Sequence, residues 1–157
     1  MTAGAVDLKV VGDRLGLART AMADLREMAA LDEPTFLSER RNAAAAESYL
    51  RRAIEALFDT ARHLLAKGFG VGGLEYRDVA RLAGEHGLVQ DATLTARLLL
   101  IAGFRNRLVH YYHDVTAKEI LAVVKHDLAD LETFAAQLEM SAARLASKTD
   151  RSPDAKG

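Results

Sequence analysis

The sequence predicts an all-α protein: an antiparallel, up-and-down four-helix bundle with one additional short helix. Three observations predict it. Ala, Leu, Arg and Glu dominate the chain, and all are good helix formers. Only 2 prolines interrupt 157 residues. Apolar residues recur three and four apart, with little of the β-branched alternation that marks a strand.

The elements follow in order. A first helix is expected from about Asp7 to Ala30, with Leu8, Val11, Leu15, Ala18, Met22 and Leu25 on one stripe. "LDEP" breaks it, and Pro34 suits the first turn of a second helix. That helix is read as one long piece from Pro34 to Lys67, its apolar face running from Leu50 through Ile54, Phe58 and Ala61 to Leu65. "KGFGVGGLEY" ends it. A short third helix spans about Arg77 to His86 and is closed by Gly87. Asp91 serves as N-cap of a fourth helix, which carries "LLLIAGFRNRLVHYYHDV". Thr116 and Glu119 form a capping box that starts a fifth, with Ile120, Val124, Leu128, Leu131, Phe134 and Leu138 inward. One domain, residues 1–146, accounts for this pattern. Residues 147–157 turn polar and are expected to be a disordered tail.

Bulk properties narrow the chemistry. The chain has no cysteine, so a disulfide framework, a thiolate metal site and a thiol nucleophile are all excluded. A reducing, cytoplasmic setting fits. No signal-peptide pattern opens the sequence, and no apolar run approaches the roughly 20 residues that span a bilayer, so no membrane role is expected. A net charge of −1 argues against broad electrostatic capture of nucleic acid. A local basic cleft, or one assembled from two subunits, remains compatible with it.

Several local signals read as structure. The Gly-rich run from Gly68 to Leu74 lacks the strand–helix context and the Lys-Ser/Thr of a phosphate loop, so it reads as a helix stop. His110 and His113 are three apart, yet no third ligand stands at a convincing spacing, so no metal is expected. Arg40–Arg41 and Arg51–Arg52 read as solvated helix surface. Glu47 falls on the same side as Leu50, Ile54 and Leu65, and a carboxylate on an apolar face needs a partner. It either closes a structural ion pair at one end of the bundle or supports a site by orienting an arginine. Both readings stay open.

The fourth helix holds the sharpest anomaly. On an ideal 3.6-residue helix, Arg105 falls in the middle of the stripe made by Leu94, Leu98, Ile101 and Val109. An unpaired guanidinium there is expensive to bury, so this part of the stripe should line a cleft or a subunit interface. His110 projects about 140° away from Arg105. Either the helix ends before His110, or two copies of the motif meet and each supplies part of one site. Tyr112 projects close to Arg105, and Tyr111 projects away from it.

"FRNRLVHYY" resembles the signature of the HEPN superfamily, and more closely the Arg-x4-His-x-Tyr motif of its HepT-like toxin family. Arg105, His110 and Tyr112 stand at the three motif positions. "SYLRRAIEALFDTARHLLAKG", "YRDVARLAGEHGLV" and "IAGFRNRLVHYY" extend the likeness over about Phe36 to Leu138. The resemblance implies a four-helix bundle with an extra short helix, usually a homodimer. It implies a metal-independent endoribonuclease with no cofactor, acting as the toxin of a toxin–antitoxin pair. It also implies a partner, a minimal nucleotidyltransferase antitoxin of the MntA kind, which neutralises the toxin by attaching AMP to the motif tyrosine, here Tyr112. The alternative is a non-catalytic HEPN dimer that binds a nucleotidyltransferase or a nucleotide as a scaffold.

The residue types suit this chemistry independently. An RNA 2′-hydroxyl can attack its own phosphodiester, so no metal-activated water is required. Such a reaction needs proton transfer near neutral pH, which a histidine such as His110 can supply. It also needs a permanent cation for the phosphorane oxygens, which an arginine such as Arg105 can supply. Asn106 can orient the phosphate or the imidazole.

Overall fold

A computed structural model describes residues 4–72 and 75–151. Among them are six α-helices: α1 (Leu8–Ala29), α2 (Glu33–Ser38), α3 (Arg40–Phe69), α4 (Tyr76–Glu85), α5 (Ala92–His110) and α6 (Ala117–Asp150). A single 3₁₀ turn, Tyr112–Asp114, joins the last two. The fold class is the predicted one, a helical bundle in which α1, α3 and α6 pack against one another. α5 lies against α3, α4 and α6, and α4 is the extra short helix. The core runs down the middle of α3 and α6, where Phe58 and Phe134 meet edge to face at 5.5 Å. Each such fully buried ring is worth roughly 1.5–3 kcal/mol of burial. No helix of the described residues is long and apolar enough to cross a membrane.

The caps explain where the helices begin and end. Asp7 accepts from the N–H groups of Lys9 and Val10 at the head of α1. The Asp7 N–H in turn donates to Nε2 of His63 on α3, tying the N-terminus to the bundle. Burial holds the His63 pKa below its ordinary value, with the charge of Arg14 acting the same way, and both favour this neutral acceptor. Gly70, at φ 70°, ends α3 in a left-handed cap, its N–H returning to Ala66 O. Gly87, at φ 75°, does the same after α4, and Leu88 N–H closes on Ala83 O. Asp91 caps α5 and Thr116 caps α6, both as predicted. The Glu119 carboxylate pairs with Arg107, which ties the end of α5 to the start of α6.

Two boundaries depart from the sequence reading. The long helix predicted from Pro34 is two helices. Asp32 caps α2, and Pro34 does lie in its first turn. Glu39 is then extended, with φ −121° and ψ 115°, and α3 starts afresh at Arg40. Phe36 is drawn fully into the core, and Asn42 Nδ2 satisfies the Phe36 carbonyl left over at the break. Burying that one ring turns the chain where local propensity would continue it. At the other end, α6 carries residues 147–150 within its last turns, so the predicted tail does not begin at Ser147. Residues 1–3, 73–74 and 152–157 lie outside the described residues.

Candidate functional site

A cavity of about 500 Å³ opens where α3, α4 and α5 meet. Its lining is polar: Arg62 from α3, Glu75 and Tyr76 at the head of α4, and Arg105, Asn106 and His110 from α5. Within a single chain, therefore, the motif arginine, asparagine and histidine face one space. Helix geometry accounts for it. Asn106 lies between the other two in angle and sits four residues before His110, on the same face. His110 is the last residue of α5, and Tyr111 breaks the helix with φ −133° and ψ 39°. Convergence of Arg105 and His110 thus requires no second copy of the motif.

Arg105 is held rather than free. Its Nε and Nη2 both donate to Oε1 of Glu55 on α3, at 3.2 and 2.9 Å. Its Nη1 makes a long contact of 3.4 Å with Asn106 Oδ1. Its guanidinium carbon stands 4.6 Å from the centroid of the Tyr76 ring. The side chain of Arg105 is only 22% exposed, and that of Glu55 33%. This resolves the apparent cost of a guanidinium in an apolar stripe: a carboxylate and an aromatic face receive it.

Tyr76 is the platform. Its hydroxyl donates to Asp59 Oδ1 at 2.9 Å, and its ring packs on Phe58 with centroids 5.2 Å apart. Burial, then the hydrogen bond to the Asp59 carboxylate, raises its pKa well above the ordinary tyrosine value, so the hydroxyl remains a donor. A second guanidinium, that of Arg62, also lies over the ring, 5.0 Å from the centroid.

Glu47 does not take the supporting role considered for it. Glu55, two turns further along α3, is the carboxylate that meets Arg105, and among the described residues Glu47 has no ion-pair partner. Periodicity placed Glu47 on the inward side without showing where along the bundle α5 crosses α3. Tyr112 also departs from its projection. The 3.6-residue projection ends with the helix at His110, so Tyr112 sits in the 3₁₀ turn, 66% exposed and outside the cavity lining. It stacks edge to face with His113, whose Nε2 lies 3.5 Å from Oδ1 of the neighbouring Asp114. Among the described residues, no three His, Cys, Asp or Glu side chains gather as metal ligands.

Sequence reasoning missed Glu55, Asp59, Arg62 and Tyr76. A signal for the first three existed: they stand at i, i+4 and i+7, a polar stripe beside the apolar stripe of Ile54, Phe58, Ala61 and Leu65. A larger cavity, about 830 Å³, lies between α1 and α3. Its wall carries Asp13, Asp24, Glu55 and Asp59 against Arg14 and Arg52, an acidic balance unsuited to a polyanion, and none of the α5 motif.

The sequence model of a family described as "Ribonuclease HepT-like" matches residues 18–138. Among solved structures, the chain is similar to a tri-AMPylated Shewanella oneidensis HEPN toxin in complex with an MNT antitoxin. The TM-score is 0.74 at 21% identity, covering 83% of this chain and 97% of that one. It is similar to a toxin–antitoxin with AMP-PNP, with TM-score 0.72 at 21% identity over 82% of this chain and 97% of that one. It is also similar to a mutant MntA–HpeT toxin–antitoxin, with TM-score 0.72 at 22% identity over 83% and 98%. No curated protein matches the sequence.

Proposed function

Because the chain belongs to the HepT-like ribonuclease family, we propose that it is a metal-independent endoribonuclease, the toxin of a toxin–antitoxin pair. The observation that carries this reading is the cavity in which Arg105, Asn106 and His110 meet. The substrate's own 2′-hydroxyl attacks the adjacent phosphorus. A 2′-oxygen–phosphorus bond forms, the bond to the 5′-oxygen breaks, and a 2′,3′-cyclic phosphate and a 5′-hydroxyl result. Two protons move: one leaves the 2′-hydroxyl and one joins the 5′-oxygen. His110, which lines the cavity, carries one of these transfers and solvent water the other. Arg105, fixed by Glu55, presents its remaining donors to the non-bridging oxygens as charge develops on them. Asn106, whose Oδ1 lies 3.4 Å from Nη1 of Arg105, lines the cavity with His110 and orients the phosphate.

Assembly and regulation belong to the same proposal. Mid-way along α5, Leu99 and Leu100 stand on the surface, Leu100 at 76% exposure, and a symmetric partner would cover them. Pairing there brings two such cavities into one cleft. The antitoxin is a minimal nucleotidyltransferase, a partner of the kind suggested by the MNT and MntA antitoxins in the complexes this fold resembles. It attaches AMP to the hydroxyl of Tyr112, which is exposed two residues beyond His110. The added phosphate then repels RNA from the neighbouring cavity by charge and bulk.

The test is induced expression of wild type, His110→Ala and Arg105→Ala without the partner, with growth and RNA integrity scored together. Wild type is expected to arrest growth and degrade RNA. Both variants are expected to remain helical and to do neither. Cleavage in purified form should persist in EDTA. A folded His110→Ala protein that cleaves at the wild-type rate would refute the assignment.

A further inference from the structure

Arg62 has no role in the family motif and none in the mechanism above, yet it faces the same cavity. It stands on α3, one turn beyond Asp59, with its guanidinium over the same Tyr76 ring that receives Arg105. The two arginines differ in what they have left to give. Arg105 has committed Nε and Nη2 to Glu55. Arg62 has one long contact, Nη1 to Asp59 Oδ1 at 3.4 Å, and that oxygen already accepts the Tyr76 hydroxyl at 2.9 Å. Nε of Arg62 is buried with no acceptor among the described residues. A guanidinium offers a full fork of N–H donors and cannot lose its charge. Its charge is therefore only loosely compensated, and it points into a polar space.

We propose that Arg62 is a second phosphate-binding residue of this site, gripping the RNA backbone beside the scissile phosphate that Arg105 receives. Resting on the nuclease reading, it divides the work between the two cations. Arg105, braced by Glu55 and the ring, addresses the reacting phosphate. Arg62 holds the strand in the ground state through a neighbouring phosphate. Tyr76 sets the spacing between them, since both guanidinium carbons lie within 5.0 Å of its centroid. Glu75, the acidic member of the lining, disfavours a second anion on its own side and leaves Arg62 as the entry for the backbone.

The experiment separates binding from chemistry. A fluorescent single-stranded 2′-O-methyl RNA, which has no free 2′-hydroxyl and is not cleaved, is titrated with wild type, Arg62→Gln and Arg62→Lys at several salt concentrations. Cleavage of ordinary RNA is measured in parallel. Arg62→Gln is expected to bind about tenfold more weakly, with the salt slope reduced by about 0.7 for one lost phosphate contact. Its KM should rise correspondingly, with kcat within about threefold of wild type. Arg62→Lys keeps the charge, so it should retain the salt slope and lose only part of the affinity. Arg62→Met, which keeps the stem over the ring, replaces the glutamine variant if that one does not fold. Unchanged affinity and salt slope in a folded Arg62→Gln protein would overturn the proposal, as would a loss confined to kcat. A wild-type protein that neither binds nor cleaves RNA would overturn the nuclease reading itself.

Discussion

Glu55 offers the sharpest test of how the site is built. It is not expected to touch RNA, yet both Nε and Nη2 of Arg105 converge on its Oε1. Glu55→Ala should cost stability and, more heavily, turnover. Hydrogen bonds to charged groups contribute about 1.5–3 kcal/mol when well shielded. Here Arg105 is 22% exposed and Glu55 33%, so solvent weakens the pair, and about 1–2 kcal/mol is the expected loss. For a chain of this size that lowers the melting temperature by roughly 3–6 °C. The guanidinium remains in the cavity but loses its brace, and only the Tyr76 ring and the long contact to Asn106 hold it. A displacement of about 1 Å in a positioning group costs on the order of a hundredfold in rate, so kcat should fall by about that factor. Glu55→Gln retains an acceptor at the same place and should recover part of it. Glu47→Ala, removing the carboxylate that periodicity singled out, should change stability by no more than about 0.5 kcal/mol. The assay is single-turnover RNA cleavage alongside thermal melts of all three variants. Wild-type turnover in Glu55→Ala, or a larger loss in Glu47→Ala, would refute the assignment of Glu55 as the carboxylate that fixes Arg105.

Two further outcomes follow from the same geometry. The Tyr76 pKa is raised in the folded protein, whereas in the unfolded chain the phenol ionises near pH 10. Above that pH the unfolded chain binds fewer protons than the folded one, so this contribution is fully present below pH 10 and is lost as pH rises beyond it. Denaturant titrations from pH 8 to 11 should show that decline in wild type and a smaller one in Tyr76→Phe; equal declines would mean that Tyr76 ionises freely in the fold. With a minimal nucleotidyltransferase and ATP, peptide mass spectrometry should find one or more AMP increments on Tyr112 and none after Tyr112→Phe. AMP on Tyr111 alone would assign the modification to the other exposed tyrosine of the pair.

By itself, the sequence determined the helical class, the caps and the motif. Those features are local: Asp91, Thr116 and Gly87 act on backbone groups within a few residues, and the apolar stripes recur at the period of the helix. It also exposed the problem of Arg105, since an arginine inside an apolar stripe is visible from spacing alone. Tertiary structure decided how that problem is solved. Glu55 and Arg105 are fifty residues apart, and only the crossing of α3 over α5 brings them together. The choice of Glu55 over Glu47 depends on where along the bundle that crossing falls, which no helical wheel contains. The same holds for the break at Glu39. Local propensity favours one long helix, but burying Phe36 in the core and satisfying its carbonyl through Asn42 outweigh it. The place of Tyr112 is decided this way too. The backbone leaves the helix at Tyr111, and from there an ideal projection no longer describes where side chains lie. Register between packed helices is a property of the whole core, which is why the partners of Arg105 lay beyond the reach of periodicity.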